Sequence, residues 1–435
     1  MLTPEARQLE RALTSKALPE LFPPDTISEF VVPDYDGHSL ANVPATLAAL
    51  LDAHLSDMAA PPLDRAYWGE LAQGTRRVVL VLLDALGYLQ LAEMLRRHPD
   101  CVWGRLARQG TLLPMTSVVP STTTTALATL LTGTEPIVHG LLGYELWLRE
   151  YGVLTEMLSL APVYSPRKES LVDWGLVPGR FLPVPSLGGL LSAHKVASTA
   201  VVPAQHMRSP LTRICYRGFD RMLGYTSLVG LWALTRHALC NDESERSLYF
   251  LYWGGIDAAI HRHGTAGGFW EKQFQMVSEV CDREFLSPLT PQQREGTLFI
   301  MIADHGFVDA PIDLAHDADA DSTLRRMLLV PHSGESRAAF LHALHGDDES
   351  TWQLIQEDLG PDYVVVRTRD AVGAGLFGRG APGPQSLARL GHFVVISRGL
   401  HYLDRQEKRL KMRGRHGGLS GEEMLVPWLA VRLDG

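Results

Sequence analysis

A chain of 435 residues, 46% hydrophobic and 20% charged, is long enough for one large α/β domain or two average ones, with a sizeable core. Its formal net charge of −9 argues against a stable nucleic-acid partner. No stretch approaches the ~18 consecutive apolar residues of a membrane helix, the first residues lack a signal-peptide pattern, and Cys101, Cys215, Cys240 and Cys281 show no paired spacing. A reduced, cytoplasmic protein without membrane association is the expectation.

Residues 1–60 combine a charged helical segment, proline-rich connections at Pro23-Pro24 and Val32-Pro33, and an apolar helical run from Val43 to Leu55. They read as an extension packed on the main domain. Val78 to Leu83 is a continuous, β-branched-rich apolar run, the pattern of a strand covered on both faces of a parallel sheet. Asp84 falls at its carboxyl end, where ligands of open α/β sheets gather. A helix is expected from Leu89 to Arg97 and a strand from Thr111 to Val119.

Then comes Pro120 followed by five hydroxyl residues, Ser121 to Thr125, which open an apolar helix. One such residue can cap a helix; five are not explained that way, since threonine is a mediocre helix former. A helix N-terminus also suits a bound phosphate.

Helical runs and short strands alternate from Leu141 to Ser247, with a strand at Lys195–Val202. Leu248–Trp253 is another apolar strand, followed by Asp257 and His261, and a long helix is expected from Phe269 to Phe285. Thr297–Ala303 is a third buried strand, ending in Asp304-His305-Gly306. Residues 310–400 are richer in acids, glycine and proline and read as an inserted smaller cap subdomain. His416, among glycines, precedes a last strand at Leu425–Arg432. The expected architecture is α/β: a catalytic domain of residues 61–309 and 401–435, with a mostly parallel central sheet between helices.

Three strands thus end in acids, and histidines stand beside two of them. Asp257 and His261 share a face if their turn is helical. Carboxylate plus imidazole is the ligand set that zinc and related divalent ions prefer, and two clusters point to two metals. Taken singly, each acid also fits a helix cap and each histidine a satisfied core residue. Asp317-Ala-Asp319-Ala-Asp321 begins like a calcium loop, but Ser322 and Leu328 hold the positions that need Gly and Glu, so it reads as a solvated acidic loop. Arg337 is a candidate for a cap residue reaching a substrate phosphate.

The residues Pro120-Ser-Thr-Thr123, Thr129-Leu-Leu-Thr132-Gly133 and Pro136-Ile-Val-His139-Gly140 resemble, spacing for spacing, the type I phosphodiesterase/nucleotide pyrophosphatase branch of the alkaline phosphatase superfamily. The resemblance covers residues 75–310 and 410–432. It implies an alkaline-phosphatase-like fold and Thr123 as nucleophile. It also implies two divalent ions, zinc foremost and manganese as the alternative: one on Asp257, His261 and His416, the other on Asp84, Asp304, His305 and the Thr123 hydroxyl. His139 and His263 match family positions that are not ligands.

The implied function is hydrolysis of phosphodiesters or nucleotide pyrophosphates through a phosphothreonine, with a small phosphate ester or nucleotide as substrate. Ala126 departs from the pattern, because relatives carry an asparagine donor there. Two alternatives are a phosphomonoesterase of the same superfamily and a non-catalytic binding protein on this fold. A sulfatase is disfavoured: none of the four cysteines opens a Cys-x-Pro-x-Arg sequence.

Overall fold

The computed structural model describes residues 2–53, 60–318, 320, 322–405 and 412–435. Its central sheet has seven strands: β1 (Arg77–Leu83), β2 (Thr111–Thr116), β3 (Ala197–Pro203), β4 (Arg221–Tyr225), β5 (Ser247–Trp253), β6 (Thr297–Ile302) and β7 (Leu425–Arg432). They lie in the order β2-β7-β6-β1-β5-β3-β4. β7 is antiparallel to both neighbours, β2 and β6, and the other pairings are parallel. The runs Val78–Leu83 and Leu298–Ile302 are fully buried, as parallel strands with helices on both faces require.

The helices between these strands in the chain include α1 (Tyr88–Arg97), α2 (Thr123–Leu130), α3 (Gly255–His263) and α4 (Phe269–Cys281). The helix expected to reach Phe285 changes to a π-turn over Asp282–Leu286. In the N-terminal segment, helix Pro4–Thr14 packs along β2, and Val31 N–H donates to Leu419 O at 2.7 Å. Helix Val43–Leu50 is shorter than expected, and residues 54 and 55 of that expectation lie outside the described residues. Asp319 and Asp321 of the acidic loop lie outside them too.

A second, antiparallel seven-stranded sheet runs Tyr363–Arg367, Phe393–Ser397, Ala338–Leu341, Ser333–Gly334, Glu145–Leu148, Val153–Glu156, Ala161–Pro162. Residues 145–162, which the sequence reading placed in the catalytic unit, therefore supply three of these strands. Along the strands, side chains alternate between two cores. Phe340, Val364, Val366, Val394 and Ile396 join the main core, while Leu341, Val365, Phe393 and Val395 pack under helix Glu349–Leu359. With both faces apolar, the sheet is fastened to the catalytic layer.

Candidate active site

Every parallel strand that carries a candidate residue presents it at its carboxyl end, which gathers the candidates above the sheet. Asp84 follows β1, and Asp304 and His305 follow β6. Asp257 and His261 sit four apart on α3, the helix that leaves β5. His416 comes from the glycine-rich loop before β7. Ala85, next to Asp84, has left-handed backbone (φ 66°), held by its N–H bond to Asp304 Oδ1 at 3.1 Å. Gly306 lets this loop close on the chain before β7: a Cβ there would meet Glu422 O at 1.9 Å.

Thr123 opens α2, and Thr122 takes the N-cap position without a side-chain capping bond. The Thr123 hydroxyl lies 3.2 Å from His305 Nε2 and 3.5 Å from Asp84 Oδ2. His305 Nε2 is also 3.5 Å from Asp84 Oδ1 and from Asp304 Oδ2. On the other side, Asp257 Oδ1 is 3.1 Å from His261 Nε2 and 3.7 Å from His416 Nε2. The His305 and His416 rings stack at 3.7 Å and join the two halves.

Both groups fit a divalent cation. In each, the three ligand atoms lie within 4.8 Å of one another. Asp84 Oδ1, Asp257 Oδ1 and Asp304 Oδ2 are buried without a hydrogen-bond partner, a costly state for carboxylates unless a cation completes them. The second nitrogens are all used: Nδ1 of His305, His261 and His416 faces the carbonyls of Gly306, Gly414 and Ser121 at 2.9, 2.9 and 3.2 Å. This turns each Nε2 inward, the arrangement that orients metal-binding imidazoles. The Nε2 atoms of His261 and His416 come within 3.2 Å.

The electrostatics make the same demand. Burial pushes the Asp84 carboxyl well above its ordinary range, and the nearby Asp304 and Asp257 add to it. Burial with His305 and His261 alongside holds His416 well below the usual imidazole value, hence neutral. Burial opposes a charge on His261, but Asp257 outweighs it and raises that imidazole. Positive charge is what this pocket lacks.

The structure thus brings Asp84, Thr123, Asp257, His261, Asp304, His305 and His416 together. It places His139 and His263 outside both groups. His139 is buried, with Nε2 at 3.0 Å from Thr129 Oγ1, and burial plus Arg389 lowers its pKa to about 3. His263 stacks on Phe269 at 4.1 Å. Ala126 is fully buried in the core.

Arg337 is not where the sequence reading put it. Only 1% exposed, it forms a two-pronged pair with Glu423 (2.8 and 3.0 Å) and donates to the carbonyls of His401 and Gly399 (2.6 and 2.9 Å). With its donors turned to these acceptors, it fastens the second sheet to the loop that carries His416.

Two supporting residues, Tyr252 and Glu423, escaped the sequence reading, and Ser121, read only as part of the hydroxyl run, has a tie between loops that the run did not show. The Tyr252 hydroxyl donates to Asp84 Oδ2. Ser121 ties the threonine turn to the other loop through Gly418 O at 2.8 Å. Glu423 accepts from Gly418 N at 2.8 Å and closes a capping box with Ser420. Only the last had a visible signal, the Ser-x-x-Glu spacing before an apolar run.

Asp84, Thr123, Tyr252, Asp257, His261 and His416 line one cleft of about 1090 Å³ between the carboxyl edge of the central sheet and the second sheet. That volume admits a substrate much larger than a phosphate.

Comparison with known proteins agrees with this construction. The family profile described as type I phosphodiesterase / nucleotide pyrophosphatase matches residues 78–419. Among solved structures, an inactive threonine-to-alanine form of murine ectonucleotide pyrophosphatase / phosphodiesterase 5 in complex with AMP superposes with a TM-score of 0.62 at 14% identity, over 82% of this chain and 88% of that one. Phosphonoacetate hydrolase from Sinorhizobium meliloti 1021, in complex with phosphonoacetate, gives 0.59 at 16% identity, over 82% and 90%. At such identities the likeness shows the fold alone: an alkaline-phosphatase-like, mostly parallel central sheet flanked by helices. No curated protein matches the chain. Because the profile spans well over half of the sequence and includes both ligand groups and the threonine turn, the chain belongs to the type I phosphodiesterase / nucleotide pyrophosphatase family.

Proposed function

We propose that this protein hydrolyses phosphodiesters or nucleotide pyrophosphates, with Thr123 as nucleophile and a phosphothreonine intermediate. The observation that carries the reading is the Thr123 hydroxyl at a helix start, 3.2 Å from His305 Nε2 and 3.5 Å from Asp84, with the second ligand group alongside. Asp84, Asp304 and His305 would hold one divalent ion with the Thr123 oxygen, and Asp257, His261 and His416 the other; zinc suits this donor set, with manganese as the alternative. When bound, the ions supply Lewis acidity and neutralise charge on the transferring phosphoryl group.

The chain's own residues do the rest. Thr123 Oγ1 gives up its proton to solvent and forms a bond to phosphorus as the ester or anhydride oxygen leaves with its electron pair. Water then breaks the Thr123–phosphate ester and restores the hydroxyl. Tyr252 holds Asp84 in place through its hydroxyl. A cytoplasmic setting fits the four free cysteines, and no described helix is long and apolar enough to cross a membrane.

A substrate panel on zinc-loaded protein tests the reading. No Lys or Arg lies between Gln109 and Arg149, so the threonine turn adds no cation for a dianionic monoester. Bis(p-nitrophenyl) phosphate should therefore be cleaved with kcat/KM at least about tenfold above p-nitrophenyl phosphate, roughly 1.4 kcal/mol in the barrier. The reverse order identifies a phosphomonoesterase, and no turnover of any ester with both sites filled rejects the hydrolase.

Acid provides a second test. Only neutral imidazole ligates, so protons compete with metal at the histidine ligands, first at His261, which Asp257 raises, whereas burial keeps His416 neutral. Metal content by elemental analysis and activity should fall together below about pH 6, the lower side of the ordinary imidazole range. Two retained ions and full activity at about pH 4 would exclude histidine ligation.

A further inference from the structure

The wall of the cleft on the second-sheet side is built of charged side chains that are buried rather than exposed. Arg405 pairs with Glu145 and Arg415 with Asp404, and all four line the cleft at only 3–5% exposure. Asp404 joins the two pairs, since its Oδ1 also accepts from Arg405 N at 2.9 Å. Arg415 Nη1 donates to Ser336 Oγ at 3.2 Å, and its guanidinium lies over the Tyr402 ring at 4.3 Å. The group begins at the metal ligands. Arg415 precedes His416, and Glu335 packs so closely on the following residue that a Cβ at Gly417 would meet its Cβ at 2.6 Å.

Pairing does not use up the guanidiniums. Arg405 Nη1 and Arg415 Nε are buried without a hydrogen-bond partner, a costly state for N–H donors unless a ligand oxygen completes them. Arg217, Arg236 and Arg389 each have one such Nε as well, but none of those three lines the cleft.

The rest of the wall decides what the ligand is. Glu156 and Glu335 bring it to four carboxylates against two guanidiniums, so a second phosphate would meet net negative charge. An ammonium group would leave the two N–H donors unanswered. A hydroxyl accepts as well as donates, so neighbouring hydroxyls can take both N–H groups and also reach the carboxylates.

We propose that Arg405 and Arg415 form a subsite for the hydroxyl groups of a polyol, making phosphodiesters of a sugar, rather than polyphosphates, the preferred class. The proposal rests on reading Thr123 as the phosphoryl-transfer centre, which sets the phosphate at the cleft floor and the esterified alcohol against the wall beside His416. A cleft of about 1090 Å³ has room for a hexose there.

The test uses two diesters with one leaving group: glucose 6-(p-nitrophenyl phosphate), and cyclohexylmethyl p-nitrophenyl phosphate, which matches the hexose in size and lacks its hydroxyls. Zinc-loaded wild type should show kcat/KM about 100-fold higher for the glucose ester, the worth of one or two bonds to charged donors. Arg405→Lys keeps a cation for Glu145 but loses the fork, and should cut that preference about tenfold, mostly through KM. Equal turnover of the two esters by wild type overturns the subsite. An undiminished preference in Arg405→Lys overturns it too, because the hydroxyls would then be read elsewhere.

Calorimetry on zinc-loaded Thr123→Ala separates this proposal from the catalytic reading and leaves the wall untouched. Glucose 6-phosphate should bind about tenfold more tightly than cyclohexylmethyl phosphate even if wild type cleaves neither diester. Equal affinity, or binding of neither, sinks the subsite on its own terms, whether or not Arg405→Lys folds.

Discussion

Thr123→Ala should lower kcat by roughly 10³-fold or more on any substrate the protein turns over, because no neighbouring hydroxyl can take its place. Thr123 Oγ1 is the hydroxyl set 3.2 Å from His305 Nε2 and 3.5 Å from Asp84. Thr122 and Thr124 line the cleft too, but neither hydroxyl bonds a ligand-group atom among the described residues, and that of Thr124 is buried without a partner. Their alanine variants should stay within about tenfold of wild type, a barrier change near 1.4 kcal/mol.

Thr123→Ser keeps the oxygen and should retain measurable turnover, while alanine, a better helix former, should leave stability unharmed. Acid quenching during turnover should trap a phosphorylated residue in wild type and none in Thr123→Ala. Wild-type kcat in Thr123→Ala would exclude the threonine ester and leave direct attack by water.

The second large effect is expected far from the nucleophile, at Glu423→Ala. Glu423 is fully buried and joins three things: the Arg337 guanidinium, the backbone of the His416 loop through Gly418 N–H, and the turn at Ser420. Removing it strands a buried arginine without its carboxylate. Breaking a buried pair in this way costs about 3–5 kcal/mol, more than exposed pairs such as Arg76–Glu295 contribute.

Chemical unfolding should show that loss as a lower midpoint. Because the same carboxylate holds the loop beyond His416, zinc affinity at the Asp257, His261 and His416 group should fall about 10- to 100-fold, while the Asp84 group keeps its ion. Arg337→Lys retains a charge but not the fork, and should lie between wild type and Glu423→Ala. A Glu423→Ala protein with wild-type stability and two tightly held ions would show that the pair carries no load.

How much of this was legible without coordinates depended on how local the causes are. The buried strands were, since a run such as Val78–Leu83 can only be covered on both faces, and Arg77–Leu83 is the strand observed. Its end then put Asp84 at the ligand-binding edge, and the same logic put Asp304 and His305 there. Asp257 and His261 needed only the helical period. The threonine turn and its spacings were legible as a family pattern.

Contacts between distant segments were not. That Glu145–Leu148 pairs with the strand at Ser333–Gly334 depends on a register set almost two hundred residues away, and nothing in the composition of residues 145–162 marks the partner. The role of Arg337 depends on which acceptor reaches it first. From sequence it was a cation free to meet a phosphate; in the fold, Glu423 and two carbonyls surround it. The reverse holds for Arg405 and Arg415, ordinary charged residues in sequence that become buried cleft residues only because Glu145 and Asp404 meet them there.

The sequence alone therefore picked out the candidate metal ligands and the strands that present them, because period and apolar runs act over a few residues and the family pattern supplied the grouping. Which charges are spent and which remain for a ligand was decided only by tertiary structure, because ion pairing is a competition among groups that folding brings together from anywhere in the chain.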